Sequence, residues 1–263
     1  MRKLTGTMAL AIFLACCGTA QAGHPLATDD TGTQGMLKFQ VESTAEFGWD
    51  KETLNGTTTK TNQQNLGLTL TAGIFDSLDA SIAIPFTIQQ IKENDIKTLD
   101  NNGLSDITLA LKWRFLELGP LSLAIKPAMT IPNGDEAKSL GNGRAIYTAT
   151  LISTVDLKPV LIHANLSYVH QEYVDAVRPD SRTDLWKMSL AGSVFVLKGL
   201  QVVAEVGTGV NNLKASDVWP TYITGGLIYS VNDQLDLDLG VRGGLNKPST
   251  DLALLTGVVV RFP

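Results

Sequence analysis

The sequence contains little cysteine, no long apolar run and no excess of basic residues. Its two cysteines, Cys16 and Cys17, lie near the N-terminus, so the chain beyond them offers no thiolate to a metal. No stretch after residue 22 approaches the run of about 18 apolar residues that indicates a membrane-spanning helix. The net charge of −5 at pH 7 argues against a nucleic-acid partner, which requires a basic surface.

The first 22 residues have the pattern of a secretory signal peptide. Arg2 and Lys3 precede an apolar run and a group of small residues suited to cleavage. We therefore expect residues 1–22 to be removed, which changes the net charge from −5 to about −7. Attachment of a lipid to Cys16 or Cys17 is an open alternative.

Apolar and polar residues alternate along most of the remaining chain. In 37–49 every second residue is apolar or small, and those between are polar or glycine. A repeat of two indicates a β-strand, whereas a helix repeats about every 3.6 residues. A run this long is unusual for soluble proteins, whose strands have about five or six residues. The pattern predicts twelve strands: 37–49, 65–74, 78–88, 107–115, 121–131, 143–155, 160–170, 186–196, 200–210, 221–231, 235–245 and 252–262.

The connections between these strands alternate in length. Short turns rich in Gly, Pro, Asp and Asn alternate with longer polar loops, at 50–62, 92–104, 132–142, 172–183, 211–219 and 247–251. Outer-membrane barrels have short periplasmic turns and longer extracellular loops. A closed barrel also pairs every backbone group within the protein, as hydrocarbon requires. We therefore predict an all-β, transmembrane antiparallel β-barrel over 37–263, preceded by a periplasmic segment at 23–36.

Aromatic residues support this architecture. Assigned to the outer face by the alternation, they fall near the strand ends, as expected of the aromatic girdles at membrane interfaces. The predicted extracellular girdle contains Phe47, Trp49, Phe86, Tyr147, Tyr168 and Trp186, and the periplasmic one Phe39, Trp113, Phe115, Tyr229 and Phe262.

Three short motifs resemble those of a known family. They are "HPLATDDTGTQGMLKFQVE" at the start of the mature chain, "GLSDITLALKWRF" at 103–115 and "IPNGDEAKSLGNGR" at 131–144. They resemble the MetA-pathway of phenol degradation family of outer-membrane transporters. The matching residues are Pro25, Leu26, Thr28, Asp29, Asp30, Gly35, Asp106, Pro132, Gly134, Asp135, Gly141 and Gly143.

The resemblance implies a β-barrel in the bacterial outer membrane that passes small molecules, with aromatic compounds as candidate solutes. Its expected partners are therefore membrane lipid and small-molecule solutes. Outer-membrane barrels commonly end on an aromatic residue read by the assembly machinery. Phe262 fits this pattern, although Pro263 follows it.

The predicted inner face carries charges of both signs. The lumen-lining candidates are Lys38, Glu42, Glu46, Asp79, Lys112, Arg114, Lys126, Arg144, His163, Glu205, Asp236, Asp238, Arg242 and Arg261. Arg261 should lie near Asp236, Asp238 and Glu42, and Asp79 should meet Arg114. A lumen of one sign would select ions by charge. The balance fits either a weakly selective pore or internal salt bridges in a narrow barrel.

Three functions remain open at this point. A channel for small solutes is the first hypothesis, and a structural or interaction barrel with a filled lumen is the alternative. An outer-membrane hydrolase that uses His163 with Asn165 and Ser167 is a distant third, because a hydrated wall explains these residues equally well. We predict no catalytic residue, no metal site and no cofactor. Oxygen ligands in 100–106 and 135–144 leave a loop calcium site as an open alternative, although ordinary loop polarity also explains them.

Overall fold

The computed structural model describes residues 23–54, 56–174 and 178–263. The predicted signal peptide and lipidation sites lie outside these ranges. No helix in the described part of the chain is long and apolar enough to cross a membrane. Within these ranges, two short 3-10 helices span Glu136–Lys138 and Arg178–Asp180.

Thirteen strands make up the described fold. They are β1 (Phe39–Leu54), β2 (Thr57–Phe75), β3 (Leu78–Glu93), β4 (Ile96–Leu104), β5 (Ile107–Leu118), β6 (Leu121–Ile131), β7 (Ile146–Leu157), β8 (Val160–Gln171), β9 (Asp184–Leu197), β10 (Leu200–Gly209), β11 (Thr221–Asn232), β12 (Leu235–Gly244) and β13 (Leu252–Phe262).

The strands form a closed antiparallel barrel. Apart from β4, the strands pair in chain order, with β3 next to β5, and β1 pairs with both β2 and β13, which closes the ring. The closing register runs from Phe39 opposite Phe262 to Trp49 opposite Leu252. Because every barrel strand then has two hydrogen-bonded neighbours, the sheet presents no open edge to the lipid.

The ring has twelve strands, and β4 extends its wall. One half of β3 pairs with β5 and the other half with β4, so β4 and β5 follow one another along the same neighbour. The twelve predicted strands are confirmed, and β4 is an additional element. It lies within 92–104, which we expected to be a loop.

The first two predicted loops are largely strand. β1 and β2 stay paired as far as Leu54 opposite Thr57, and β3 and β4 are joined by a tight turn at Asn94 and Asp95. Both turn residues have positive φ, of 49° and 65°, as a type I′ hairpin turn requires. The prediction of loops at 50–62 and 92–104 was wrong because these extensions stand in water, where a strand needs no apolar face.

The faces of the barrel follow the predicted alternation. Leu66, Leu68 and Leu70 are each about 40% exposed on the outer face, and the residues between them are less exposed. Two tilted aromatic pairs lie at opposite ends of the barrel. Tyr168 packs on Trp186 with ring centroids 5.2 Å apart, and Trp113 packs on Phe115 at 5.8 Å.

The segment that precedes β1 lies inside the barrel. Leu37 donates from its backbone N–H to Gly73 at the short-turn end, and Met36 donates to Asp76 at the same end. From there residues 24–34 occupy the lumen, where they contact the inner faces of most strands. We expected residues 23–36 to lie in the periplasm. The structure differs because this short polar segment finds hydrogen-bond partners on the wall of the barrel.

The assignment of faces can be tested at two adjacent residues. Leu68→Lys should destabilise the barrel by about 2–4 kcal/mol, because it places an ammonium group against lipid near mid-membrane. Thr69→Lys is the matched control, because Thr69 lies on the inner face opposite Glu42. This variant should lose much less stability. Urea unfolding in lipid vesicles, followed by heat-dependent gel mobility, measures both. Equal losses would show that the faces are assigned wrongly.

Candidate functional site: a plugged lumen

Residues 24–34, here called the N-terminal plug, cross the lumen from one wall to the other. At one end His24 lies 2.6 Å from Asp238 of β12. At the other end Gln34 donates from its backbone N–H to Asp79 of β3 at 3.1 Å. Between them the plug hydrogen-bonds to strands on all sides of the barrel. The described part of the lumen is therefore obstructed by the protein's own chain.

Two glycines on the wall make room for the plug. A Cβ at Gly240 would lie 2.6 Å from Pro25, and one at Gly226 would lie 2.7 Å from the same ring. Both distances are too short for any side chain, so the Pro25 ring occupies space that only glycine leaves free. Next to it, Leu26 packs in a small buried apolar cluster with Ala191, Val203 and Ile228.

Asp29 is the electrostatic centre of the plug. Its carboxylate lies 2.7 Å from the amine of Lys126 and 3.3 Å from that of Lys112. Burial raises the pKa of Asp29, but the two lysine charges and their hydrogen bonds hold it well below its ordinary value. The carboxylate therefore remains charged in mild acid. Asp30 follows it, 3.8 Å from Lys112.

Polar wall residues also satisfy the backbone of the plug. The N–H of Thr28 donates to Glu205 at 2.5 Å, and its hydroxyl donates to Ser189 at 2.8 Å. The N–H of Thr31 donates to the hydroxyl of Thr154 at 3.1 Å. Because an unpaired buried N–H is costly, these contacts allow an irregular segment to lie inside the barrel.

The other predicted lumen-lining charges form ion pairs across the wall or border a small cavity. Arg242 pairs with Glu46 at 3.1 Å, and Arg261 pairs with Asp236 at 2.5 Å. Glu42 borders a small cavity beside His24 and Asp238. The expected contact of Arg261 with Asp236 is thus present, and Arg261, Glu42 and Asp238 line the same small cavity beside His24.

The structure differs from the prediction for the contact between Asp79 and Arg114 and for the positions of Arg144 and Lys38. Asp79 lies opposite Lys112 in the strand register and receives the plug, so it does not meet Arg114. Arg114 instead pairs with Glu117 at 3.4 Å, level with the short turn. Arg144 precedes β7 and Lys38 precedes β1, and both are exposed outside the strands.

The described contacts of His163 do not form a hydrolase site. The ring is buried, and its Nδ1 lies 3.0 Å from the hydroxyl of Thr154. Ser167 is hydrogen-bonded to Thr150 at 2.9 Å. The side-chain amide of Asn165, oriented so that its oxygen and its nitrogen both have partners, hydrogen-bonds to the backbone of Asp29. His163, Asn165 and Ser167 therefore act as parts of the lumen wall. Nowhere in the described ranges do three or more His, Cys, Asp or Glu residues form a group suited to a metal.

The remaining family-motif residues form a second cluster in the loop between β6 and β7. Asp106 accepts hydrogen bonds from the backbone N–H groups of Gly134, at 2.8 Å, and Asn142, at 2.7 Å. A Cβ at Gly141 would lie 2.5 Å from the same carboxylate. Asp106 thus folds the loop over the end of β5. Pro132, Asp135 and Gly143 lie in this loop, and Asp135 pairs with Lys138 at 3.1 Å.

A cavity of about 520 Å³, here called the chamber, lies between the plug and the longer loops. Ala27 of the plug lines it on one side, and loop residues such as Asn211 and Pro248 line it on the other. Lys187 and Tyr222 line it from the barrel wall. Sequence reasoning missed Tyr222, because its place in the alternation does not reveal that its ring approaches Gly207 on the neighbouring strand.

The fold and the lumen define a class of protein. A closed twelve-strand ring with an apolar outer face and short turns at one end is an outer-membrane β-barrel of the channel and porin type. The protein therefore belongs in the bacterial outer membrane. The chain belongs to the family described as "Putative MetA-pathway of phenol degradation", which matches residues 19–262. The resemblance seen in the motifs is confirmed.

Solved structures share this fold. The COG4313 outer membrane channel from Pseudomonas putida F1 is 15% identical, with 89% of this chain and 98% of that chain covered and a TM-score of 0.70. The translocator domain of autotransporter NalP from Neisseria meningitidis is 11% identical, covering 88% and 91%, with a TM-score of 0.56. The NanC porin is 11% identical, covering 86% and 99%, also with a TM-score of 0.56. No curated protein matches the chain by sequence. Identities this low establish the fold alone.

The contribution of Asp29 to the plug can be tested directly. Asp29→Asn removes the acidic partner of Lys126, and an uncompensated charge in a partly buried site is strongly unfavourable. We expect amide hydrogen exchange of residues 24–34 to become at least tenfold faster, as read by mass spectrometry. Asp95→Asn is the matched control, because Asp95 pairs with Lys60 at 2.6 Å on an exposed hairpin. Unchanged exchange in Asp29→Asn would show that the ion pairs do not hold the plug.

Proposed function

We propose that the protein is an outer-membrane channel for small solutes whose resting state is closed by the N-terminal plug. The observation that carries this proposal is the chamber of about 520 Å³ above the plug. A cavity of this size beside the loops offers room for a small solute on the far side of the plug. Its volume is within the range of about 300–1,000 Å³ that is common for small-molecule sites.

The contacts of the plug suit a part that moves. Apart from Leu26 and its three apolar neighbours, the described contacts are mostly hydrogen bonds and ion pairs. A hydrogen bond contributes only about 0.5–1.5 kcal/mol net, because water replaces the lost partner. Moving the plug away from the wall, with water taking over its contacts, therefore costs far less free energy than unfolding the barrel.

The solute class is supported by two features. The wall charges are nearly balanced and mostly paired, which favours weak ion selectivity over a one-sign filter. The family description refers to phenol degradation, which favours aromatic compounds. Loops were expected to restrict the path, but 92–104 forms a strand hairpin that extends the wall, and the plug takes that role instead.

The alternative function is a structural barrel with a filled lumen. The plug favours it, because Pro25 and Thr28 are among the most deeply buried residues and are fitted to the wall. A permanently fixed plug would leave the chamber as a blind surface pocket. The two functions differ in whether removing the plug opens a path through the barrel.

Assembly into the membrane is proposed to use the last strand. β13 ends at Phe262, which is 47% exposed on the outer face and lies opposite Phe39 in the closing register. An accessible terminal aromatic residue is suited to recognition by the outer-membrane assembly machinery.

Swelling of proteoliposomes separates the channel from the structural barrel. We expect a variant lacking residues 24–34 to admit arabinose and benzoate several times faster than the native protein, because the plug is removed and the chamber opens into the lumen. Asp95→Asn serves as the control for changes outside the lumen. Heat-dependent gel mobility verifies that each barrel is folded. If the folded deletion variant admits neither solute, the channel hypothesis fails and the structural barrel replaces it.

A further inference from the structure

The chamber has one charged residue in its lining. Among the described residues that line it, Lys187 of β9 is the one that carries a charge, and none is an Asp or Glu. Lys187 is exposed and lies opposite Ser167 on one neighbouring strand and Gly209 on the other. The chamber thus presents an ammonium group to its contents.

Lys187 differs from the other lumen cations on the described strands. Lys112 and Lys126 pair with Asp29, Arg242 pairs with Glu46, and Arg261 pairs with Asp236. No acidic side chain in the described ranges lies within ion-pair distance of Lys187. A cation without an acidic partner in a partly open cavity attracts a small anion, because field lines are focused between the low-dielectric walls of a cleft.

The rest of the chamber offers apolar and aromatic surface. The Tyr222 ring lies close to the backbone of Gly207, where a Cβ would be 2.3 Å from its phenol end, and the guanidinium of Arg242 lies 5.1 Å from the ring centroid. Val210, Pro220 and Pro248 add apolar surface from the loops. A planar apolar body fits beside a ring held in this way, and aromatic pairs contribute about 0.5–1.5 kcal/mol beyond area burial.

We infer that the chamber is a binding site for small aromatic carboxylates, with the carboxylate on Lys187 and the ring beside Tyr222. The inference deepens the proposed channel function, because it names an anionic aromatic solute rather than a neutral phenol. The floor of the site is the plug itself, since Ala27 lines the chamber and the next residue, Thr28, bonds to Ser189 of β9. A bound solute would therefore lie directly against the part that must move.

Calorimetry on the full-length native protein in detergent tests the site without requiring transport. The main probe is benzoate. Two comparison probes are acetate, which lacks the ring, and benzyl alcohol, which lacks the charge. We expect benzoate to bind at least tenfold more tightly than either. Lys187→Met should weaken benzoate at least tenfold, and Lys187→Arg should keep it within about threefold. Lys60→Met, on the exposed hairpin, is the matched control and should leave benzoate binding unchanged.

The possible results distinguish the site from the channel. Equal benzoate affinity in the native protein and in folded Lys187→Met overturns the site, as does the absence of benzoate binding at millimolar concentration. Lys187-dependent binding together with failed swelling of the plug deletion would retain the site and reject the channel. Swelling without Lys187-dependent binding would retain the channel and reject the site. If acetate binds as tightly as benzoate, the aromatic part of the inference is wrong.

Discussion

The structure depends on one constraint: backbone N–H and C=O groups find no partner in hydrocarbon. Closing β1 onto β13 satisfies these groups at the seam, as the unbroken register from Phe39 to Trp49 demonstrates. Closure then fixes the side chains, because alternate residues must face lipid or lumen. Most charged residues of the membrane-spanning strands are consequently directed inwards, where the protein must find partners for them.

The plug supplies part of those partners. Counted on the wall alone, the inward charges nearly balance, but the two lysines Lys112 and Lys126 converge on Asp29, which is not part of the wall. The charges of these two lysines are therefore neutralised by the plug and not by a neighbouring strand. Beyond the reach of Asp29, the chamber retains Lys187 without a described acidic partner. The same short segment that neutralises one part of the lumen leaves another part positive.

The barrel was largely predictable from the sequence, and its contents were not. A repeat of two residues over ten positions reports the strand and its outer face, which is why Leu66, Leu68 and Leu70 lie where the pattern placed them. The pattern fails where both faces of a strand meet water, as in β4. Pairings across the lumen, such as that of Asp29 with Lys126, join residues nearly a hundred positions apart and leave no periodic signal.

One signal in the sequence did point to the plug. Gly226 and Gly240 are inward-facing residues in the middle of strands, where glycine costs about 0.5–1 kcal/mol relative to alanine. Glycine inside a strand often marks the close approach of another backbone. Here both face the Pro25 ring, and any larger residue would expel it. Two glycines on adjacent strands, each with this cost in stability, indicate that the wall is shaped to hold the Pro25 ring. The lumen of the folded protein is therefore occupied by the plug, and the proposed open path requires the polar contacts of the plug to be broken.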